Sequence, residues 1–189
     1  MSAVIVTSGP VAGGLMRRLV DVHPRLRDRG IRIREDETSE GTSSMARTLL
    51  VRQGVPVAVV SDSETLSPRV INERTGMFEY LLEVVAPPSE WRVLFIAPEV
   101  AVLLFRDEQL LRSLLPVSPS FEQLIRGRYE PNRVLAELFA QAGEQPFPDA
   151  LLKRLEQADV SSLWSAPELR PLEEFLLETS ASQQPGTAP

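Results

Sequence analysis

Short runs of aliphatic and β-branched residues alternate with longer segments of helical periodicity in the first part of the chain. Branched side chains favour the pleated backbone, so three apolar runs predict strands, and the alternation of isoleucine and arginine at 31–34 predicts a fourth, edge or half-buried strand. These strands are expected at residues 3–7, 31–34, 55–61 and 92–96. Apolar positions that recur every three or four residues predict helices between and after them. These helices are expected at residues 11–20, 45–53, 69–85 and 99–115.

This alternation predicts an α/β fold, with a mostly parallel four-stranded sheet and helices on both of its faces. Residues 1–115 are expected to form this α/β domain, and 116–179 a C-terminal helical part in which strand-like runs stop. Residues 180–189 are rich in Ser, Gln, Pro and Gly, which predicts a disordered tail. The polar segment 36–44 contains Gly41 and predicts a loop, with Ser43 or Ser44 capping the helix after it.

The composition excludes several classes of site. The sequence has no cysteine, which rules out disulfides, zinc–thiolate centres and cysteine nucleophiles, and it fits the reducing cytoplasm. His23 is the only histidine, so one chain cannot build a His-based catalytic triad, and we expect it on the surface. No apolar run approaches the roughly 18 residues of a membrane span. We therefore expect a cytoplasmic protein with no membrane contact.

Charge is unevenly distributed along the chain. The formal net charge is −6, from 20 basic and 26 acidic residues. Ten acidic and four basic residues follow from Glu130 onward, so the acidic excess lies entirely in the C-terminal part. Seven arginines occur between Arg17 and Arg34, against two aspartates. Such a basic segment is a candidate contact for phosphate or nucleic acid, and the alternative is a solvated surface.

An acidic pair follows the third predicted strand. Asp62 and Glu64 come directly after the run 55–61, at the carboxyl end of a strand, where open α/β sheets bind their ligands. Two carboxylates suit Mg²⁺, which needs only one or two of them in addition to water and phosphate oxygens. Asp62 and Glu64 are therefore the main candidate metal ligands. The alternative is a polar turn in which Asp62 caps the next helix.

Two other acidic residues are secondary candidates for the same metal. Glu40 lies in the second predicted β–α loop, and Glu99 begins a predicted helix directly after Pro98. A solvated acidic loop is the alternative for Glu40. Glu99 also has a purely structural explanation, because a negative charge at a helix N-terminus interacts favourably with the helix dipole.

The turn after the first strand is rich in small residues, which allow a backbone to approach a phosphate at a helix N-terminus. The segment is not a Walker A loop, since no lysine follows and Lys153 is the only lysine. The alternative is an ordinary tight β–α turn. The candidate phosphate-binding residues are Ser8, Gly9, Gly13, Gly14, Arg17 and Arg18.

Together these strand ends resemble the Toprim family, the fold of topoisomerases, primases and OLD-type nucleases. The matching places are Ser8-Gly9, the loop around Gly41, Asp62-Ser63-Glu64 and Pro98-Glu99. The resemblance covers about residues 3–115 and implies that the acidic pair binds a divalent cation. Similar domains occur in small prokaryotic proteins that are linked to antiviral defence.

One position departs from the family. The resemblance implies a glutamate that acts as general acid and base at the end of the first strand, where this chain has Ser8. A serine hydroxyl does not accept a proton at neutral pH without an activating base. We therefore expect a degenerate Toprim-like protein, non-catalytic or weakly active, that works with another protein subunit in a prokaryotic defence or DNA-processing system.

Two alternatives stay open for the function. The first is a nuclease that depends on a divalent metal and cleaves phosphodiesters of DNA or RNA, with Asp62 and Glu64 as ligands. The second is a doubly wound domain that binds a nucleotide or phosphate through the Ser8–Gly14 turn. No catalytic residue is assigned by the sequence.

Overall fold

A four-stranded sheet in which all strands are parallel forms the centre of the protein. The computed structural model describes residues 2–143 and 147–181. The strand order is β2-β1-β3-β4, so β1 and β3 are the two inner strands. The four predicted strands are confirmed, with small shifts at their ends. They are β1 (Val4–Ser8), β2 (Arg32–Asp36), β3 (Val57–Asp62) and β4 (Trp91–Ile96).

Helices cover both faces of the sheet, as predicted. Three of them connect the strands: α1 (Pro10–Val22), α2 (Ser39–Gln53) and α3 (Pro68–Glu83). Five follow the last strand: α4 (Glu108–Leu114), α5 (Phe121–Arg126), α6 (Pro131–Gln141), α7 (Asp149–Leu155) and α8 (Arg170–Ala181). Short 3-10 helices occur at Pro88–Glu90, Val100–Arg106, Ser161–Ser165 and Pro167–Leu169.

Alternation along the strands divides the interior into two apolar cores. Ile5, Ala58 and Leu94 point to the core that contains α1 and most of the C-terminal helices. Val6 and Val59 point to the opposite core, beneath α2 and α3. Because side chains alternate between the faces of a strand, a run that is apolar throughout is buried on both sides.

The helix α2 begins earlier than the sequence predicts. Residues 36–44 were expected to form a loop, but the helix starts at Ser39 and its N-cap is Thr38. The Thr38 hydroxyl accepts a hydrogen bond from the Gly41 backbone N–H at 3.0 Å. A side chain at position 41 would collide with the Asp36 carboxylate, so glycine is needed there for close packing. The polar residues that suggested a loop are the first turn of the helix and its cap.

The predicted helix at 99–115 is also corrected. The chain instead forms the 3-10 helix Val100–Arg106 and then α4. Asp107 separates them in an extended conformation, and its Oδ1 accepts a hydrogen bond from the Leu110 N–H at 2.9 Å. The helical periodicity of the sequence continues through Asp107. The helix itself does not, because the Asp107 side chain caps a new helix that begins at Glu108.

The C-terminal helices pack into the same core as one face of the sheet. Leu135, Phe139 and Phe175 belong to a single cluster with Ile5 and Leu94. The boundary at residue 115 therefore stays a prediction. Helix α8 continues through residues 180 and 181, and 182–189 lie outside the described residues, so the predicted tail also stays a prediction.

His23 connects these two parts of the chain. It was expected at the surface, but only 5% of it is exposed. Its Nε2 lies 3.0 Å from Glu173 Oε1 in α8, and its Nδ1 accepts a hydrogen bond from the Arg25 N–H at 3.2 Å. The histidine therefore has a structural role at the end of α1. Within the described ranges, no helix has the length and apolar content needed to cross a membrane.

Two glycines should respond in opposite directions to substitution by alanine. Gly54 ends α2 with φ +57°, whereas Gly76 lies inside α3 with ordinary helical geometry, and neither has a neighbouring atom within 4 Å of a new Cβ. We expect Gly54→Ala to lower the free energy of unfolding by about 1 kcal/mol because of strain, and Gly76→Ala to raise it by about 0.5–1 kcal/mol. Urea unfolding would measure both, and equal signs would contradict the backbone geometry.

Candidate functional site

The carboxyl ends of the strands open into a cleft between the start of α2 and one side of α3. The parallel pairing of β1 with β3 brings Ser8 and Asp62 to the same edge of the sheet. The cleft has a volume of about 430 Å³. Its lining residues are Ser8, Gly9, Glu37, Thr38, Glu40, Asp62, Glu64, Arg74, Met77, Phe78 and Phe95.

Asp62 is the most perturbed acid of this cleft. It is the last residue of β3, and its Oδ1 accepts a hydrogen bond of 2.6 Å from the Val100 N–H. Burial of the carboxyl raises its pKa from the ordinary 3.8 to about 6. The nearby charges of Glu99 and Glu64 add to the rise, and the Val100 hydrogen bond opposes it. Asp62 therefore holds a partly buried negative charge that its surroundings do not balance.

Glu64 reaches the same cleft from a strained turn. Its φ is +55°, in the left-handed region that residues other than glycine seldom adopt. The Glu64 N–H donates a hydrogen bond to the Pro98 carbonyl at 2.8 Å, which fixes the turn to the end of β4. Its Oε2 lies 3.4 Å from Arg74 Nη1, and the same nitrogen donates to the Ser63 carbonyl at 2.7 Å. Glu64 is therefore an exposed acid that already has a cationic neighbour.

Ser8 is held by hydrogen bonds to the neighbouring strand. Its hydroxyl lies 2.7 Å from the Ser61 hydroxyl and accepts a bond of 3.2 Å from the Asp62 N–H. Since β1 and β3 are adjacent, this position is the one from which a longer acidic side chain would reach the cleft. The serine hydroxyl instead links the ends of β1 and β3 by hydrogen bonds.

The two secondary candidate metal ligands, Glu40 and Glu99, lie in different surroundings. Glu40 lines the cleft together with Glu37, both on exposed positions near the start of α2. Glu99 does not line it, because its Oε2 accepts a hydrogen bond of 2.9 Å from the Asn132 N–H in the first turn of α6. Glu99 therefore interacts with the N-terminus of α6 rather than with the helix that was predicted to begin at Glu99 itself, and it influences the cleft through the pKa of Asp62.

The six candidate phosphate residues are not brought together. Ser8 and Gly9 line the cleft, but the Gly9 N–H already donates to the Asp36 carbonyl at 2.8 Å. Gly13 and Gly14 lie within α1, where added side chains would meet Glu35 and Leu152 respectively. The two arginines also have partners on this far side. Arg17 pairs with Glu35 at 2.8 Å, and Arg18 donates to the Ala158 carbonyl at 2.6 Å.

Sequence reasoning missed Arg74, the only cationic side chain among the residues that line the cleft. It lies on α3, three residues before Met77 and four before Phe78, a spacing that places side chains on one face of a helix. That spacing was the available signal.

The donor set fits a divalent cation only sparsely. Asp62 Oδ1 is taken by Val100, and among the described residues no hydrogen bond uses Oδ2. A cation beside this carboxylate would offset the charge that burial leaves unbalanced. Across residues 2–143 and 147–181, however, no group of three His, Cys, Asp or Glu side chains is placed to hold a metal ion. The arrangement suits a cation that keeps most of its waters, as Mg²⁺ does.

Removing the charge of Glu99 should lower the pKa of Asp62. Glu99→Gln keeps an oxygen that can accept from the Asn132 N–H, while it removes one of the charges that raise the Asp62 pKa. We expect a downward shift in the titration of the Asp62 carboxyl carbon, followed by ¹³C NMR. The matched control is Glu122→Gln, a charge change on the exposed face of α5, which should leave the titration unchanged. An unchanged pKa in Glu99→Gln would show that the charge of Glu99 does not contribute to it.

Comparison with known proteins identifies the fold of the chain but matches it to no family model. No protein-family model matches the sequence, and no curated protein matches it. The structure is similar to the C-terminal region of the Burkholderia pseudomallei OLD protein, with a TM-score of 0.61 and 17% identity, covering 94% of this chain and 98% of that one. It is also similar to the C-terminal region of the Xanthomonas campestris pv. campestris OLD protein. There the TM-score is 0.55 at 14% identity, covering 95% of this chain and 94% of the other. The chain therefore has a Toprim-like fold, the fold of these C-terminal regions of OLD proteins.

Proposed function

We propose that this protein is a degenerate Toprim-like domain, with weak or no catalytic activity, that acts through another protein subunit. The observation that supports the proposal most directly is the hydrogen bonding of the Ser8 hydroxyl. Its hydroxyl is engaged with Ser61 and the Asp62 backbone at the strand end where the family resemblance implies a glutamate. A hydroxyl in this position supplies neither a metal ligand of negative charge nor a base at neutral pH.

The two remaining acids support the same proposal. Asp62 shares its carboxylate with the Val100 N–H, and Glu64 has Arg74 beside it. Hydrolysis of a phosphodiester assisted by metal ions commonly needs two cations about 3.5–4 Å apart, or one cation and a positioned base. This pair of acids offers at most one weak cation site. We assign it Mg²⁺, held by Asp62 and Glu64, with water in the other positions.

We infer that the protein acts in a prokaryotic defence or DNA-processing complex in the cytoplasm. The similarity to C-terminal regions of OLD proteins and the absence of cysteine from the sequence support it. A nucleic-acid partner has less support, because arginines of the basic segment bind neighbouring groups of the chain itself. Arg17, Arg18 and Arg32 have such partners.

A metal-dependent nuclease is the second candidate. It is favoured by the raised pKa of Asp62, because catalytic sites are where burial and like charges commonly shift carboxyl groups. In that case Asp62 and Glu64 would hold the cation against a phosphodiester. We do not propose the nucleotide-binding alternative, since Gly13 and Gly14 lie inside α1, away from the cleft.

An assay on plasmid DNA and transfer RNA separates the first two candidates. The full chain is incubated with each substrate in Mg²⁺ and in Mn²⁺, beside the variant Asp62→Ala prepared identically. We expect no cleavage above the background of the variant. Cleavage by the wild type that Asp62→Ala lowers by about a hundredfold or more, the loss typical of a removed catalytic group, would establish the nuclease instead.

A further inference from the structure

The outer face of α3 is apolar and has no partner within the described residues. Met77, Tyr80 and Val84 expose 55%, 67% and 66% of their surfaces, and Val70 exposes 37%. Positions 70, 77, 80 and 84 follow the seven-residue pattern by which one helix packs along another. Phe78 and Leu82 bury the opposite side of the helix in the core. Two apolar faces on one helix indicate that the outer one serves contact with another molecule.

The neighbouring helix α2 extends this surface. Val51 is 63% exposed. Val51 and Arg47 share one helix face with Glu40, at positions i, i+7 and i+11. Glu40 and Met77 line the same cleft, and α2 and α3 are in contact, so both faces start at the cleft. We call the surface between them, from the cleft toward Val51 and Val84, the α2–α3 groove.

The charges along the groove are polarised. At the cleft end, four acids (Glu37, Glu40, Asp62 and Glu64) surround the single cation Arg74. At the far end Glu83 lies beside the stripe, three residues after Tyr80, and Arg47 lies on α2, whereas Glu79 points away from the stripe. A ligand that covers the apolar stripe therefore meets an acidic end at the cleft and a balanced end at Glu83 and Arg47. Positive charge on the ligand is favoured at the cleft end.

The charges argue against two other occupants. A second copy of the chain, packed α3 against α3, would offer the acidic cleft no net positive charge, because its own groove is acidic at one end and balanced at the other. The chain's own residues 182–189 have the sequence SQQPGTAP, with no cation and no large apolar side chain. The remaining occupant is a segment of another protein.

We propose that the α2–α3 groove binds a basic amphipathic helix of a protein partner. Its apolar side chains cover Met77, Tyr80 and Val84, and a lysine or arginine enters the acidic cleft in place of Mg²⁺. Binding of an amphipathic helix in an apolar groove is a common mode of peptide recognition, and long basic side chains place an apolar stem and a charged end together. The cleft supplies both surfaces, because Phe78 and Phe95 lie beside Asp62 and Glu64. This inference rests on the proposed role in protein contact and names the class of partner.

The test uses two synthetic peptides of about 20 residues, long enough to form a helix. Both carry the same leucine stripe, and their polar faces carry lysine and arginine in one and glutamate in the other. Binding to the full chain is measured by fluorescence anisotropy. We expect the basic peptide to bind at least about tenfold more tightly than the acidic one, because its charges complement the groove.

Matched double variants locate the binding. Met77→Ser/Val84→Ser removes the stripe, and Phe121→Ser/Ile125→Ser removes an equally exposed apolar pair on α5. We expect the first to weaken binding of the basic peptide about tenfold or more, as for interface anchors, and the second to leave it unchanged. Glu37→Gln/Glu40→Gln should weaken it as well, unlike the control Glu122→Gln/Glu156→Gln.

Three results would overturn the inference. They are equal affinity for the two peptides, equal loss in both apolar double variants, or a dimer in sedimentation that Met77→Ser/Val84→Ser dissociates. The last would identify a second copy as the occupant. None of these measurements involves cleavage, so a failure here is distinguishable from a failure of the nuclease assay.

Discussion

Replacing Phe175 by alanine should lower the free energy of unfolding by about 3–5 kcal/mol, a large part of the roughly 5–15 kcal/mol that stabilises a typical domain. The ring lies on α8 with only 2% of its surface exposed, in the core that also contains Ile5 and Leu94 of the sheet. The Arg92 guanidinium of β4 is 6.0 Å from the ring centroid. Truncation therefore opens a cavity between the last helix and the sheet.

The same variant tests whether residues 116–181 unfold with the sheet. Trp91 lies in β4 and Trp164 in a 3-10 helix after α7, so each tryptophan reports on one part. Urea unfolding is followed by fluorescence in Trp91→Phe and Trp164→Phe backgrounds, with and without Phe175→Ala. We expect both signals to move together to lower urea, because the two parts share one core.

The exposed Phe121, with 79% of its surface accessible, provides the control. Phe121→Ala should change the stability by less than about 0.5 kcal/mol. If Phe175→Ala shifted the Trp164 transition alone, the C-terminal helices would be an independent domain with its boundary near residue 115.

The sheet could be predicted because its strands are short, are separated by helical segments, and are either mostly apolar, as β1, β3 and β4 are, or alternating at their start, as β2 is. A strand such as β3, buried on both faces, is apolar from Val57 to Val60, and the polar pair Ser61-Asp62 marks its end. Helix starts were less predictable. The caps Thr38 and Asp107 are polar residues that look like loop or helix interior until their hydrogen bonds to Gly41 and Leu110 are known.

The candidate site was predictable only in part, for a geometric reason. Strand pairing brings Ser8 beside Asp62, and parallel strand ends are readable from the sequence. Contacts of longer side chains are not. Arg17 bonds to Glu35 rather than to a ligand near Gly9, and Glu99 bonds to the start of α6, more than thirty residues further along the chain. No periodicity encodes such pairs, because they depend on how separate elements pack.

Neutralising Asp62 should stabilise the protein at neutral pH. Asp62→Asn keeps an oxygen for the Val100 N–H and removes a charge whose pKa is raised from 3.8 to about 6. A shift of one pKa unit corresponds to about 1.4 kcal/mol, so the ionised carboxylate costs the folded state on the order of 3 kcal/mol. A site that keeps such a charge gives up stability for it, which is common where a ligand is bound.

The pH dependence of this effect has a definite sign. Between pH 3.8 and about 6 the folded state binds the proton more tightly than the unfolded state, so the Asp62 contribution to stability falls as the pH rises through this window. The advantage of Asp62→Asn should therefore be small near pH 3, where both states hold most of the proton. It should grow with pH and level off above about pH 7.

Urea unfolding of the wild type, Asp62→Asn and Asp28→Asn, with a chelator present, measures this difference across the pH range. Asp28 has 84% of its side chain exposed, so its replacement changes the same charge without the burial and should have little effect at any pH. Added Mg²⁺ should then stabilise the wild type above pH 7 and leave Asp62→Asn unchanged, because a cation bound at the cleft offsets the buried charge. A wild type as stable as Asp62→Asn at pH 8 without metal would mean that the carboxylate is better solvated than its burial indicates, and the cleft would lose its strongest cation ligand.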